Sequence, residues 1–305
     1  MRGRTLEFAM TANTRSLIVD SAPESRSGDF WRYFRRHRLA LISLFVLVAF
    51  CLIAIFANAI TPYDPNATNT AYAGGRPQPP STEYALGTDN YGRDYLSRTI
   101  ASLQISMLVG VTAVLFQLII GVFVGAIAGY FGGWVDNLLM RITDIFLSIP
   151  TFMLLLIVAG ILGGSMVALI IAIGALNWMT VARLVRAQIL SLKEQEFVLA
   201  ARSMGASHAR LILLYLLPNT LSSMIVAATL AIPNAILTES ALSFLGLGVQ
   251  PPNASLGNML QEAQQWVRSA WWVWVVPGVT ISLIVLSVNF VGDGMRDALD
   301  PRLRR

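Results

Sequence analysis

TIASLQISMLVGVTAVLFQLIIGVFVGAIAGYFGGWV, residues 99–135, runs 37 positions without a charged side chain, between Arg98 and Asp136. An α-helix rises 1.5 Å per residue and a bilayer's hydrocarbon layer is about 30 Å thick, so about 20 apolar residues make one crossing. The tract is long for one crossing, but GYFGG at 129–133 breaks its end, and it reads as one long helix followed by a turn. The same conversion gives one crossing for 39–60, two for 145–182, and one each for 211–238 and 269–292. In 145–182 the Gly163-Gly164 pair stops a helix mid-tract, which makes a two-span hairpin the expected solution. The total is six, and the fold class is an all-α, polytopic membrane protein.

Composition and charge agree. Of 305 residues, 55% are hydrophobic and 13% charged, against about a quarter charged in soluble domains. An even number of crossings puts both termini on one side, where arginine and lysine should gather. Eight arginines precede residue 39, residues 183–210 hold four and Lys193, the C-terminus holds four, and Arg141 adds one. The opposite side holds Arg76, Arg93, Arg98 and Arg268. Eighteen against four predicts cytoplasmic termini and rejects a seventh span within 99–135. The expected organisation is a basic cytoplasmic tail (1–38), a first span (39–60), an outer segment (61–98) and a five-span core (99–305). The core carries a cytoplasmic loop at 189–217 and an outer loop at 239–272. Ala57-Asn-Ala59 looks like a signal-peptidase site, but the long basic leader and long apolar run read as an uncleaved anchor. The aromatic and basic stretch 30–37 suits a helix at the inner headgroup layer.

Several function classes are excluded. Basic charge gathered beside the spans argues against a nucleic-acid partner. With Cys51 as the single cysteine there is no intramolecular disulfide and no cysteine metal cluster. Lys193, the single lysine, follows QILSL, so no glycine-rich phosphate loop exists here. An intramembrane hydrolase needs histidine or clustered carboxylates within the spans, and His37 and His208 both lie outside them. A secondary transporter or channel not coupled to ATP remains the alternative; these commonly show a mid-membrane charge or duplicated halves, and neither is visible here.

The loop 189–217, ILSLKEQEFVLAARSMGASHARLILLYLL, reads as two helices and a hinge. Gly205 sits where a helix C-terminus favours a left-handed residue, and Ser207 is placed to cap the next helix. Ala201 and Gly205 are four apart, with Ala200 beside them, so one helix surface has small residues that let another backbone approach. That surface inserts into a cleft of another protein, or the segment is a connector resting on the bilayer; spacing leaves both open.

The spacing Ala200-Ala201, Gly205, then Leu217-Pro218 resembles the Glu-Ala-Ala loop of permease subunits of binding-protein-dependent ABC importers. It is a variant, with Leu199 at the usual glutamate and Tyr215 at the usual isoleucine. LGTDNYGRD (86–94), RITD (141–144) with SIP (148–150), SFLGLGVQPP (243–252) and GDGMRDALDP (292–301) are similar to the oligopeptide, dipeptide and nickel branch. The likeness covers residue 30 to the end. It implies a coupling helix that docks on a cytoplasmic ATPase, with Ala200, Ala201, Gly205, Ala206, Ser207, His208 and Arg210 as the contact residues. It also implies a second homologous permease subunit, two ATPase subunits that hold ATP and Mg²⁺, an extracytoplasmic solute-binding protein, and a bacterial inner membrane. No cofactor is expected in this chain. Short peptides are the expected cargo, ahead of nickel or another small solute.

Other residues have plainer readings. Gly121, Gly125 and Gly129 make a smooth face for helix packing. Arg141 and Asp144, three apart, are expected to pair. Pro218, Pro233 and Pro277 can kink the last two spans. Gln117, Asn177, Asn234, Thr238 and Asn289 are candidates for a translocation path or for interhelical bonds. Trp266, Trp271, Trp272 and Trp274 suit the outer headgroup boundary.

Overall fold

The structure is a computed structural model that describes residues 31, 34, 35, 37–72 and 75–299. Most of the basic tail expected at 1–38 and the arginines at 302–305 lie outside these. Among the described residues, besides a 3-10 turn at Gln264–Trp266, the helices in order are α1 (Arg38–Ile55), α2 (Ala57–Ile60), α3 (Tyr95–Phe131), α4 (Gly133–Ser148), α5 (Thr151–Leu162), α6 (Met166–Ala175), α7 (Trp178–Leu192), α8 (Glu196–Ser203), α9 (His208–Phe244), α10 (Leu256–Ala263) and α11 (Trp272–Leu299). No strand forms among the described residues; the segment between α2 and α3 has only an isolated bridge, Thr88 to Asp94.

Four helices, α1, α3, α9 and α11, are each long and apolar enough to cross a membrane, and six crossings result when each of two bent pairs counts as one. The tract 145–182 differs in detail from the expected hairpin. α5 and α6 have 12 and 10 residues, only about 18 and 15 Å at helical rise. Each is completed by a helix that extends beyond the tract. α4 meets α5 at an 84° bend and α6 meets α7 at 40°. The first bend falls at Pro150, which disfavours helical backbone at Ile149; Ile149 is extended there. The charge-free run 211–238 also ends too early. α9 continues through Glu239 to Phe244 because that carboxylate is fully buried on hydroxyl partners rather than facing lipid. At its other end α9 passes through Pro218 after a π-helical turn at Leu211–Leu216. A looser turn accommodates the proline, which has no N–H to donate.

α3 is the central post. Asp94 caps it, accepting from Ser97 N at 2.8 Å. One face lies against α7 along the glycine stripe: a β-carbon at Gly125 would stand 2.4 Å from the Ala182 carbonyl oxygen, and one at Gly129 2.9 Å from that of Arg186. Its opposite stretch meets α6 and α9 through Val109, Ala113, Ile173 and Leu242. α1 packs on α11, where Phe34 from the expected interfacial stretch is buried with Ala40, Val291 and Ala298. At the other end of the bundle, α10 lies so close to α9 that a β-carbon at Gly257 would be 2.3 Å from the Ser240 carbonyl oxygen.

Candidate functional site

Helices α3, α6, α7 and α9 surround a cavity of about 340 Å³ whose polar lining is Gln117, Asn177, Thr180, Asn234 and Thr238. Four of these were legible as polar positions in apolar tracts. Thr180 was missed although it follows Asn177 by three, one helical turn. Asn289 lies on α11 and lines neither this cavity nor its neighbour. Some lining groups are satisfied locally, Asn177 Nδ2 donating to Ile173 O at 2.7 Å and Thr238 Oγ1 to Asn234 O at 2.7 Å. The remainder is a neutral concave face of amides, hydroxyls and small apolar groups.

The second site is the hinged loop. α8 ends at Gly205, whose φ of +81° is the left-handed geometry that glycine adopts at low cost. Ser207 caps α9, accepting from Arg210 N at 3.4 Å. The expected small-residue docking face needs correction. Ala201 is 1% exposed and packs with Val198 against Val185, Ile189 and Leu211 within the chain. At Gly205 an added β-carbon meets nothing within 4 Å, so the glycine serves the turn rather than a close contact in this chain. Outward from α8 point Phe197, Leu199 and Ala200, followed by Met204, which is 79% exposed. Ala206 is half-buried, whereas Ser207 and Arg210 are exposed. The His208 ring is engaged by Tyr130, Oη to Nδ1 at 2.6 Å.

Two clamps fix this end of the bundle. Lys193 Nζ donates to Gly129 O at 3.2 Å, where the last carbonyls of α3 lack helical partners. Arg186 on α7 grips Asp136 on α4 with two nitrogens. The expected Arg141–Asp144 pair does not form: Asp144 takes Arg183 of α7 at 2.6 Å. The packing of α4 beside α7 supplies a cross-helix partner that sequence spacing does not reveal.

The far end has its own charge cluster. Arg98, 1% exposed, lies 3.4 Å from Asp89 and 3.5 Å from Glu262, while Arg93 contacts the same two carboxylates at 2.6 and 3.0 Å. LGTDNYGRD is thereby fastened to α10, a role its sequence did not disclose.

Residues 121–305 match the family model described as binding-protein-dependent transport system inner membrane component, and residues 25–80 match the N-terminal transmembrane domain of oligopeptide transport permease C. The chain belongs to this family. It is a family of permeases, inner-membrane components that are not the catalytic subunits, and membership implies an ATPase partner. The dipeptide transport system permease protein DppC of Alkalihalophilus pseudofirmus is 42% identical over 276 residues, 90% of each chain. DppC of Haemophilus influenzae is 39% identical over 93% of this chain and 97% of its own length. The oligopeptide transport system permease protein OppC of Bacillus subtilis is 40% identical over 89% and 88%. Among solved structures, the MetNI methionine ABC transporter in an inward-facing conformation matches with a TM-score of 0.51 at 20% identity, covering 67% of this permease and 98% of that chain. That likeness concerns the fold alone.

Proposed function

We propose that this permease is one of two homologous subunits that together enclose a path for short peptides into the cell. The observation that carries the reading is the polar cavity of Gln117, Asn177, Thr180, Asn234 and Thr238 among the membrane helices, which a second subunit would extend into a path. The names of the relatives at about 40% identity, dipeptide and oligopeptide permeases, support peptides over nickel as cargo. Both termini are cytoplasmic in this reading, which the arginine distribution supports. α8 then faces the cytoplasm and docks on one of two ATPase subunits, which hold ATP and Mg²⁺. Phe197, Ala200 and Met204 make the contact; a water-exposed apolar surface of this kind marks a partner site. The outer loop 239–272, which carries α10, and the segment 61–98 face the solute-binding protein.

Nucleotide binding can shift the groove between inward-open and outward-open states only if α8 meets the ATPase differently in the two. The stiff connections from α8 to α7 and α9, through Val198, Ala201 and Leu211, carry that difference to the groove walls. The test is reconstitution of the chain with its second permease, ATPases and binding protein in proteoliposomes. ATP-dependent accumulation of a labelled peptide is expected. Uphill transport by the isolated chain, or ATP hydrolysis by the whole assembly without peptide uptake, would overturn the reading.

A further inference from the structure

The polar cavity continues. A second cavity of about 440 Å³ shares Leu184, Ala227 and Leu230 with it, so the two form one groove along α9, from Thr238 near α10 to Ser222 toward α8. Its polar groups are neutral as far as those shared apolar residues. Beyond them come Ser222, Ser223 and Arg296. Arg296 is the one charged side chain lining either cavity among the described residues. It is exposed and enters no ion pair with a described residue. Asp293 and Asp297, on the same stretch of α11, are exposed but line neither cavity.

Along the groove from Thr238, past the shared apolar residues Leu184, Ala227 and Leu230, the first full charge on its wall is the Arg296 guanidinium. Its fixed positive charge attracts a carboxylate and repels a cation. A basic residue at a helix end is ordinary for a membrane protein, but that explains charge at this level of the bundle, not a position on the groove wall. We infer that Arg296 contacts cargo at the exit of the groove and sets charge selectivity, favouring solutes with a negative group and disfavouring cationic ones.

The inference rests on the importer reading, and its test separates the two. The complete importer, in proteoliposomes, is given three tripeptides that differ only in a central Glu, Gln or Lys, each at saturating capture. The binding protein is the same in every arm, so its preference cancels in the ratio of variant to wild-type rate. R296Q is expected to lower the relative rate of the Glu peptide against the Lys peptide about three- to tenfold. R296E should shift the ratio further in the same direction, and R296K should leave it near the wild-type value. Equal ratios for all three peptides in R296Q and R296E would overturn the assignment, even where every rate falls. A wild-type assembly that moves no peptide overturns the importer reading itself, and the assignment with it.

Discussion

Ser106 on α3 donates its hydroxyl to the carboxylate of Glu239 on α9 at 2.9 Å. Glu239 is fully buried, and its other oxygen accepts from Ser243 at 2.7 Å. Each serine also accepts a backbone N–H from beyond α9, Leu256 N at the start of α10 on Ser106 at 3.3 Å and Val249 N in the intervening loop on Ser243 at 3.1 Å. One carboxylate therefore orders two helices and the loop above them. Replacing Glu239 with Gln keeps an acceptor oxygen for these hydroxyls, whereas Leu leaves them unpaired in an apolar setting. Glu239→Leu is expected to destabilise by about 2–4 kcal/mol and Glu239→Gln by about 1 kcal/mol or less. Thermal unfolding in detergent, followed by tryptophan fluorescence, checks the ranking, and a wild-type melting temperature for Glu239→Leu would refute it.

The cluster of Arg93, Arg98, Asp89 and Glu262 predicts a second, distinct effect. Arg98→Leu leaves Asp89 with Arg93 but removes the deepest cation, and breaking a buried ion pair from one side costs about 3–5 kcal/mol. Segment 61–94 should then become sensitive to limited proteolysis before the helices unfold. Arg268→Leu, an exposed residue outside the cluster, is the control and should cut no faster than wild type.

How far the sequence reaches differs between these features. Charge-free tracts at 39–60, 99–135 and 269–292 locate spans because lipid excludes ionised groups wherever no partner is at hand. The rule failed at Glu239, where hydroxyls from α3 and α9 supply the partners, and at Asp144, where Arg183 arrives from another helix. Both depend on residues far apart in the chain, which a single sequence without an alignment cannot pair. Asn177, Asn234 and Gln117 stood out in apolar surroundings, and folding gathers them; Asn289 stood out equally and lies apart. Polarity marks a helix position as special without saying which wall it faces. The hinge at Gly205 and the cap at Ser207 were readable because they are local backbone chemistry.

The glycine stripe separates close packing from mere smallness. At Gly125 a side chain would drive into the backbone of Ala182, whereas at Gly160 in α5 an added β-carbon meets nothing within 4 Å. Gly125→Leu is expected to force α3 and α7 apart and to lose about 3 kcal/mol or more. Gly160→Leu, in a helix, should be neutral or slightly stabilising by up to about 1 kcal/mol. Yield and melting temperature of the two variants, purified in parallel, decide this; equal behaviour would mean that the stripe is not a contact.

The hinged loop yields the prediction closest to function. Because Ala201 faces inward and Met204 outward, the docking surface proposed for α8 and its C-cap comprises Phe197, Ala200 and Met204 rather than the small residues alone. Met204→Glu places a charge on that surface without disturbing the buried contacts of Val198 and Ala201, so the melting temperature of the isolated chain should stay within about 1–2 °C of wild type. Association with the ATPase should weaken about tenfold or more, since an unpaired charge has to be buried at the contact. Gly205→Val acts differently, through backbone strain of about 1–2 kcal/mol in the left-handed turn, and should lower both the melting temperature and ATPase binding. Co-purification and titration of the ATPase against each variant separate the two. If Met204→Glu retains full affinity while Gly205→Val loses it, the loop positions some other surface for docking, and the face assigned to α8 is wrong.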